Sequence, residues 1–365
     1  MRSVFVFQHI PKTAGTTWRS ILYKQYSDGA VCSIYDDDRY YYSFNDFNSL
    51  SEEKKNTFQA VIGHFGHNIK LDLNNDADLS FGVFLRNPVD RCLSLYNHFF
   101  NHQRQGELPT LTTFLDEKNI QFDNLQTRVL SGMNPAFGKV DENVLAEAVR
   151  HLLSYDFFGL TERFNESYAL AVLQLDWNVV PFLSKNIGRN KHCDVRVDVT
   201  DNERARLFEL NKFDKILYDV ANDIFQRRVD GIKNILNRRW SRLLDQIISA
   251  SREPIVFESE GRIGQITQRK IKGWARLIQC DHPARLRVFW NKKLVGVIDA
   301  VEERTIPSSV VKSRCGFTYE FENEVKLTPD DEIEVIVAAT GKRLNKVNKV
   351  KLANTSRTGK MDRIV

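Results

Sequence analysis

The chain has no CxxC pair, no apolar run of about 18 residues, no GxxxxGK[ST] loop and no internal repeat. Each absence removes a class of protein. The five cysteines, Cys32, Cys92, Cys193, Cys280 and Cys315, are odd in number and scattered. They offer neither a zinc pattern nor a disulfide framework and suit a reducing compartment. Without a long apolar run no transmembrane segment is expected. Met1-Arg2 leads directly into Val4-Phe5-Val6-Phe7, too short an apolar stretch for a secretory signal. The expectation is therefore a soluble, cytoplasmic protein of bacterial type. The net charge of +5 is mild; it suits an anionic ligand and points away from nucleic acid.

What is present divides the 365 residues in two. Short apolar runs at Val4–Phe7, Ala30–Ile34, Ala60–Ile62, Phe81–Leu85 and Phe157–Leu160 alternate with helical patterns near 88–103, 142–153 and 163–175. Runs apolar on both faces, separated by helices, predict a parallel sheet covered on both sides. From Asp201 to about Ser251 the apolar residues recur at the helical period without interruption. Composition then changes to short β-like runs, among them Ile271–Ala275, Leu286–Trp290, Leu294–Ile298, Gly316–Phe321 and Glu332–Ala338. Asn291-Lys292-Lys293 and Pro329-Asp330-Asp331 serve as hairpin connections. The expected fold class is α/β, a P-loop-like parallel sheet flanked by helices over residues 1–251. A C-terminal all-β, sandwich-like accessory domain follows over 252–352, then a basic tail over 353–365. From Lys342 to the end, eight Lys or Arg face one acid, Asp362, which suits peripheral contact with an anionic surface or acidic polymer, or simple solubility.

The first candidate site is Pro11-Lys12-Thr13-Ala14-Gly15-Thr16-Thr17, between a strand and a helix. Backbone N–H groups at such a turn direct partial positive charge at an anion. Gly15 permits close approach, the hydroxyls of Thr13, Thr16 and Thr17 are donors, and Lys12 adds a full charge. The same stretch also reads as a plain strand–turn–helix junction with threonines capping the helix. Lysine stands ahead of the glycine here, whereas a triphosphatase loop has it after. A second block, Phe81 to Ser94, ends a strand at Arg86. Asn87 as N-cap, Pro88 at N1 and Asp90 at N3 are explained by helix chemistry alone; Arg86 and Ser94 are not.

Pro11 to Thr17 resembles the 5′-phosphosulfate loop of the sulfotransferases that use 3′-phosphoadenosine 5′-phosphosulfate (PAPS). The preceding His9-Ile10 is similar to the carbohydrate branch, particularly its uronyl 2-O type, and Thr16-Thr17-Trp18 to the cytosolic small-molecule enzymes. The resemblance implies that Arg86 and Ser94 hold the 3′-phosphate, and that the product is 3′-phosphoadenosine 5′-phosphate (PAP). It extends to Asn124-Leu125-Gln126-Thr127-Arg128, to Phe158–Phe164, to Asn211, Asp214, Leu217 and Tyr218, and more weakly to Arg189 and Lys191 near the nucleotide. It covers residues 3 to 225, leaving the β domain outside.

Attack by a hydroxyl on sulfur needs a base. His64 and His67 follow the apolar strand at Ala60–Ile62, at the edge where open α/β sheets bind ligands. The family's Gly-His pattern favours His64 as general base, with Lys12 stabilising charge and His67 as a possible second acid or base. A His-x-x-His zinc site lacks a third ligand nearby, and the low charge of a sulfuryl group does not require a metal. The acceptor expected is a carbohydrate hydroxyl. Alternatives are a lipid, a phenol or another natural product, with Tyr40-Tyr41-Tyr42 and Phe44 lining a pocket or merely packing. A catalytically inactive glycan-binding protein is the reading from another class.

Overall fold

The computed structural model describes residues 2–36, 41–69, 71, 73, 77–102, 110–182, 199–252, 258–278, 283–305, 312–321, 327–328 and 331–346. It divides into two compact units, Met1–Ile255 and Val256–Val365. The hairpin expected at Pro329-Asp330-Asp331 lies largely outside the described residues, and the basic tail over 353–365 lies wholly outside them.

The first unit is built on five parallel strands, β1 (Arg2–Gln8), β2 (Val31–Ile34), β3 (Ala60–Gly63), β4 (Ala77–Leu85) and β5 (Phe157–Leu160). Their order is β2-β3-β1-β4-β5. β2, β3 and β5 are buried at every position, the both-faces-covered state that their unbroken apolar runs predict. From β1 the chain moves through α1 (Gly15–Gln25) to β2 on one side. From β4 it moves to β5 on the other. β1 and β4 are neighbours, so the crevice where an open α/β sheet takes its ligand lies at their carboxyl ends.

α1 is fixed by Trp18, fully buried and stacked on Phe157 with ring centroids 5.1 Å apart. Phe7 and Phe84 close the same cluster at 5.6 and 4.9 Å. Burying a ring of this size contributes about 3 kcal/mol or more, which anchors the helix and the loop before it. The short α2 (Phe44–Asn48) starts at a Ser43–Asp46 capping box, and α3 (Glu52–Lys55) at Ser51. α4 (Pro88–His102) starts as expected: the Asn87 side chain accepts from the N–H groups of Val89 and Asp90 at 3.1 and 3.3 Å.

α5 (Leu111–Asp116), α6 (Leu125–Ser131), α7 (Glu142–Ser154) and α8 (Phe164–Gln174) follow, then α9 (Asp201–Leu210) and α10 (Lys212–Ala250). The expected uninterrupted helix over 201–251 is thus broken at Asn211. There the side-chain amide donates to the carbonyls of Leu207 and Phe122, both at 2.8 Å, and competes with the helix for Leu207. α10 has a second break, at Leu236, whose φ of −125° and ψ of 32° are not helical. α6 and α10 cap one another. Asp214 accepts from Gln126 and Thr127 at the start of α6, and Asn124 accepts from Phe213 and Asp214 at the start of α10.

The second unit has two sheets around one core. β6 (Ser259–Ile266), β7 (Lys270–Leu277), β10 (Glu302–Thr305), β11 (Lys312–Glu320) and β13 (Asn345–Lys346) form one, and β8 (Arg285–Trp290), β9 (Lys293–Asp299) and β12 (Ile333–Val337) the other. Ile271, Phe317, Leu286, Val288 and Val335 meet in the core. Asn291 and Lys292 close the β8–β9 hairpin with φ of 47° and 66°, the left-handed pair of a type I′ turn.

Candidate functional site

The Pro11–Thr17 stretch joins β1 to α1. Lys12 and Ala14 are left-handed, with φ of 71° and 66°, although neither is glycine. That conformation costs about 1 kcal/mol or more at each. Alternating hand at successive residues turns N–H groups inward to form an anion-binding concavity. Ala14 is the N-cap of α1 and offers no side-chain cap, and the first turn has no acidic residue. The start of α1 therefore keeps its positive end for a ligand.

Gly15 is required for another reason than approach to a phosphate. A Cβ there would fall 1.8 Å from His9 Cδ2 and 1.9 Å from His9 Nε2. The Thr13 hydroxyl donates to the Ile10 carbonyl at 2.8 Å and is buried, so its proton braces the loop. Thr16 is half-buried and Thr17 buried at the start of α1.

Arg86 directly follows β4, and its Nη1 donates to the Lys12 carbonyl at 3.0 Å. Two segments 74 residues apart in sequence thus meet across the β1–β4 crevice. Burial lowers the Lys12 pKa below the usual lysine range, and the Arg86 charge adds to the effect. Burial also pulls the Arg86 guanidinium below its usual value, against the opposing pull of Glu162 and Asp90. Two cations held in one half-buried space are relieved by an anion between them. Ser94, half-buried, lies two turns into α4.

Sequence reasoning gave no role to Gln126, which is fully buried. Its amide oxygen accepts from the Arg86 N–H and its amide nitrogen donates to the Arg86 carbonyl, both at 2.9 Å. This double clasp fixes the strand end that carries the guanidinium. Its signal in the sequence was the resemblance over Asn124–Arg128, which marks the residue but not its partner.

His64 follows β3 and is exposed. Its ring lies 4.7 Å from that of His9 and 4.6 Å from that of Tyr35, centroid to centroid. His67 packs elsewhere: it stacks on His151 at 3.5 Å, and its Nδ1 meets the Tyr155 hydroxyl at 2.9 Å. The two histidines of the His-x-x-His pattern thus have different partners. Arg189 and Lys191 lie outside the described residues. Tyr42 and Phe44 pack into the core beneath β2 and β3, and Tyr41 is buried; Tyr40 lies outside the described residues.

Burial, then His151 and Arg150, lower the His67 pKa to about 4. His9 is held well below 6.5, first by burial and then by His64, Arg19 and Lys12. In both cases the unfolded chain binds the proton more readily. The fold therefore loses stability as pH falls below about 6.5, and for His67 the loss runs to about 4. Melting curves across this range are expected to show that His67→Gln reduces the acid sensitivity. An unaltered slope would contradict the assignment.

The sulfotransferase family pattern matches residues 1–220. Mouse heparan-sulfate 6-O-sulfotransferase 3 is 25% identical over 304 residues, covering 65% of this chain and 61% of that protein. Human heparan-sulfate 6-O-sulfotransferase 1 is 27% identical over 289 residues, covering 66% of this chain and 69% of that one. This chain therefore spans less than two thirds of the mouse relative's length. The names of these relatives carry 6-O, whereas His9-Ile10 pointed to the uronyl 2-O type; both belong to the carbohydrate branch. The solved mouse sulfotransferase SULT7A1 complexed with PAP aligns with a TM-score of 0.31 and 14% identity, over 59% of this chain and 66% of that one. That likeness is too loose to bear on fold or ligand. With a family match over more than half its length, the chain belongs to the sulfotransferase family.

Proposed function

We propose that this chain is a carbohydrate O-sulfotransferase, moving a sulfuryl group from PAPS to a sugar hydroxyl and releasing PAP. The observation that carries the reading is the meeting of Arg86 with the Lys12 loop, 3.0 Å apart, at the switch point of the sheet. The residues fit a nucleotide with an anion at each end. The left-handed loop, the open start of α1 and Lys12 suit the 5′-phosphosulfate. Arg86 and Ser94 suit the 3′-phosphate, the guanidinium through paired donors. PAPS supplies the sulfuryl group together with a weakly basic phosphate leaving group.

In this reading His64 accepts the acceptor's proton. Lys12 and the loop N–H groups stabilise charge on the sulfuryl and bridging oxygens, in a space where preorganised donors count for more than in water. The exposure of His64 supports the role, because a base must reach an incoming hydroxyl. A carbohydrate acceptor is supported by the relatives, which are named for heparan sulfate. A reducing, cytoplasmic setting is part of the same proposal.

Arg86→Ala is expected to weaken PAP binding about 10- to 100-fold, the worth of a charge-assisted pair. Titration calorimetry measures it directly. Unchanged affinity in a folded variant would remove Arg86 from the nucleotide site.

A further inference from the structure

His9, Tyr35 and His64 each stand one residue beyond a strand of the same sheet. Gln8 of β1 and Ile34 of β2 are both in register with Gly63 of β3. Parallel pairing therefore delivers the three following residues to one row at the carboxyl edge. The Tyr35 hydroxyl lies 2.7 Å from His9 Nδ1. The Tyr35 ring meets the His64 ring edge-on at 84°, and the His9 ring meets it at 52°. Tyr35 and His9 are 4% and 8% exposed, while His64 is exposed.

The two buried rings are themselves fixed. His9 abuts the Gly15 backbone, leaving no room for even a Cβ. The buried guanidinium of Arg19 lies 4.9 Å from the Tyr35 ring centre and 4.5 Å from that of Tyr41, a cation–π arrangement in a largely dry setting. Tyr35 and Tyr41 are in turn 5.0 Å apart.

We propose that Tyr35 is a positioning residue of the transfer reaction: with His9 it forms the wall that sets the plane of the His64 imidazole toward the incoming hydroxyl. The proposal rests on the reading of His64 as general base. An exposed imidazole without such a wall samples several rotamers, and misplacing a base by about 1 Å costs about 100-fold in rate. The wall also has the right charge. His9 is held neutral by burial and by the cations around it, so it presents no positive neighbour to His64 as that ring takes up a proton.

The test compares Tyr35→Phe and Tyr35→Leu, each alone and combined with His64→Ala. It reads single-turnover label transfer from radiolabelled-sulfur PAPS, KM for the acceptor, PAP affinity and Tm. Tyr35→Phe keeps the ring against His64 and Arg19 but loses the bond to His9. It is expected to lower kcat about tenfold with PAP affinity unchanged, and Tyr35→Leu about 100-fold. Neither is expected to slow the residual rate of His64→Ala any further, because a residue acting through another adds nothing once that partner is gone.

Wild-type kcat in folded Tyr35→Phe and Tyr35→Leu, with His64→Ala inactive, overturns this proposal alone. So do equal proportional losses in the His64→Ala background. If Tyr35→Leu does not fold, Tyr35→Phe decides by the same criteria. Full turnover in His64→Ala would overturn the general-base reading, and the positioning role with it.

Discussion

His64→Ala is expected to lower turnover about 1,000-fold while leaving PAP affinity within about threefold of the unaltered protein, because a general base contributes roughly 10²–10⁴. The separation follows from where the residue sits. The proposed nucleotide contacts come from the loop after β1, the end of β4 and α4. His64 comes from β3, on the far side of β1 from β4. Its ring touches His9 and Tyr35, and the residue is exposed. Single-turnover transfer and calorimetry on the same preparation separate chemistry from binding. A loss of PAP affinity as large as the loss of turnover would reassign His64 to the nucleotide. Retention of more than a tenth of the turnover would remove it from the chemistry.

Gly15→Ala is expected to weaken PAP binding more than 100-fold and to destabilise the first unit by about 1–3 kcal/mol, the range for forcing an atom into a filled site. The added Cβ falls less than 2 Å from two atoms of the His9 ring, closer than any non-bonded contact permits. His9 cannot simply swing aside, because it is buried and its Nδ1 is bonded to Tyr35. The loop must give instead, and with it the left-handed residues Lys12 and Ala14 that shape the concavity. Chemical denaturation and calorimetry measure the two effects. A variant with unaltered stability and affinity would show that His9 yields freely and that the loop geometry does not depend on it.

Four strands of the first unit were legible as apolar runs, the signature of a covered parallel sheet, whereas β4 starts at Ala77, four residues before the expected Phe81, because Asp78 and Ser80 interrupt its first half. The start of α4 was legible because Asn87, Pro88 and Asp90 are local chemistry. The contact between Arg86 and Lys12 was foreshadowed only by resemblance, since nothing local links residues 74 apart. Gln126, Asn124 and Asp214 bond across as many as 90 residues. The resemblance marks all three positions but not the partners they bond. Tyr35 was hidden for the same reason: its meaning depends on the register of β2 against β3 and β1. In the second unit β6, β10 and β13 escaped notice; β6 carries only Ile263 and Ile266 as large apolar residues, and its register shifts between Ile263 and Gln265. A bulge of this kind breaks the alternation by which a half-buried strand is recognised.

Sulfuryl transfer is the direct test of the proposed activity. Radiolabelled-sulfur PAPS incubated with the protein and a panel of polysaccharides, oligosaccharides and phenols is expected to label a carbohydrate hydroxyl, with PAP formed in equal amount. No label in any acceptor, together with no calorimetric binding of PAP, would contradict it.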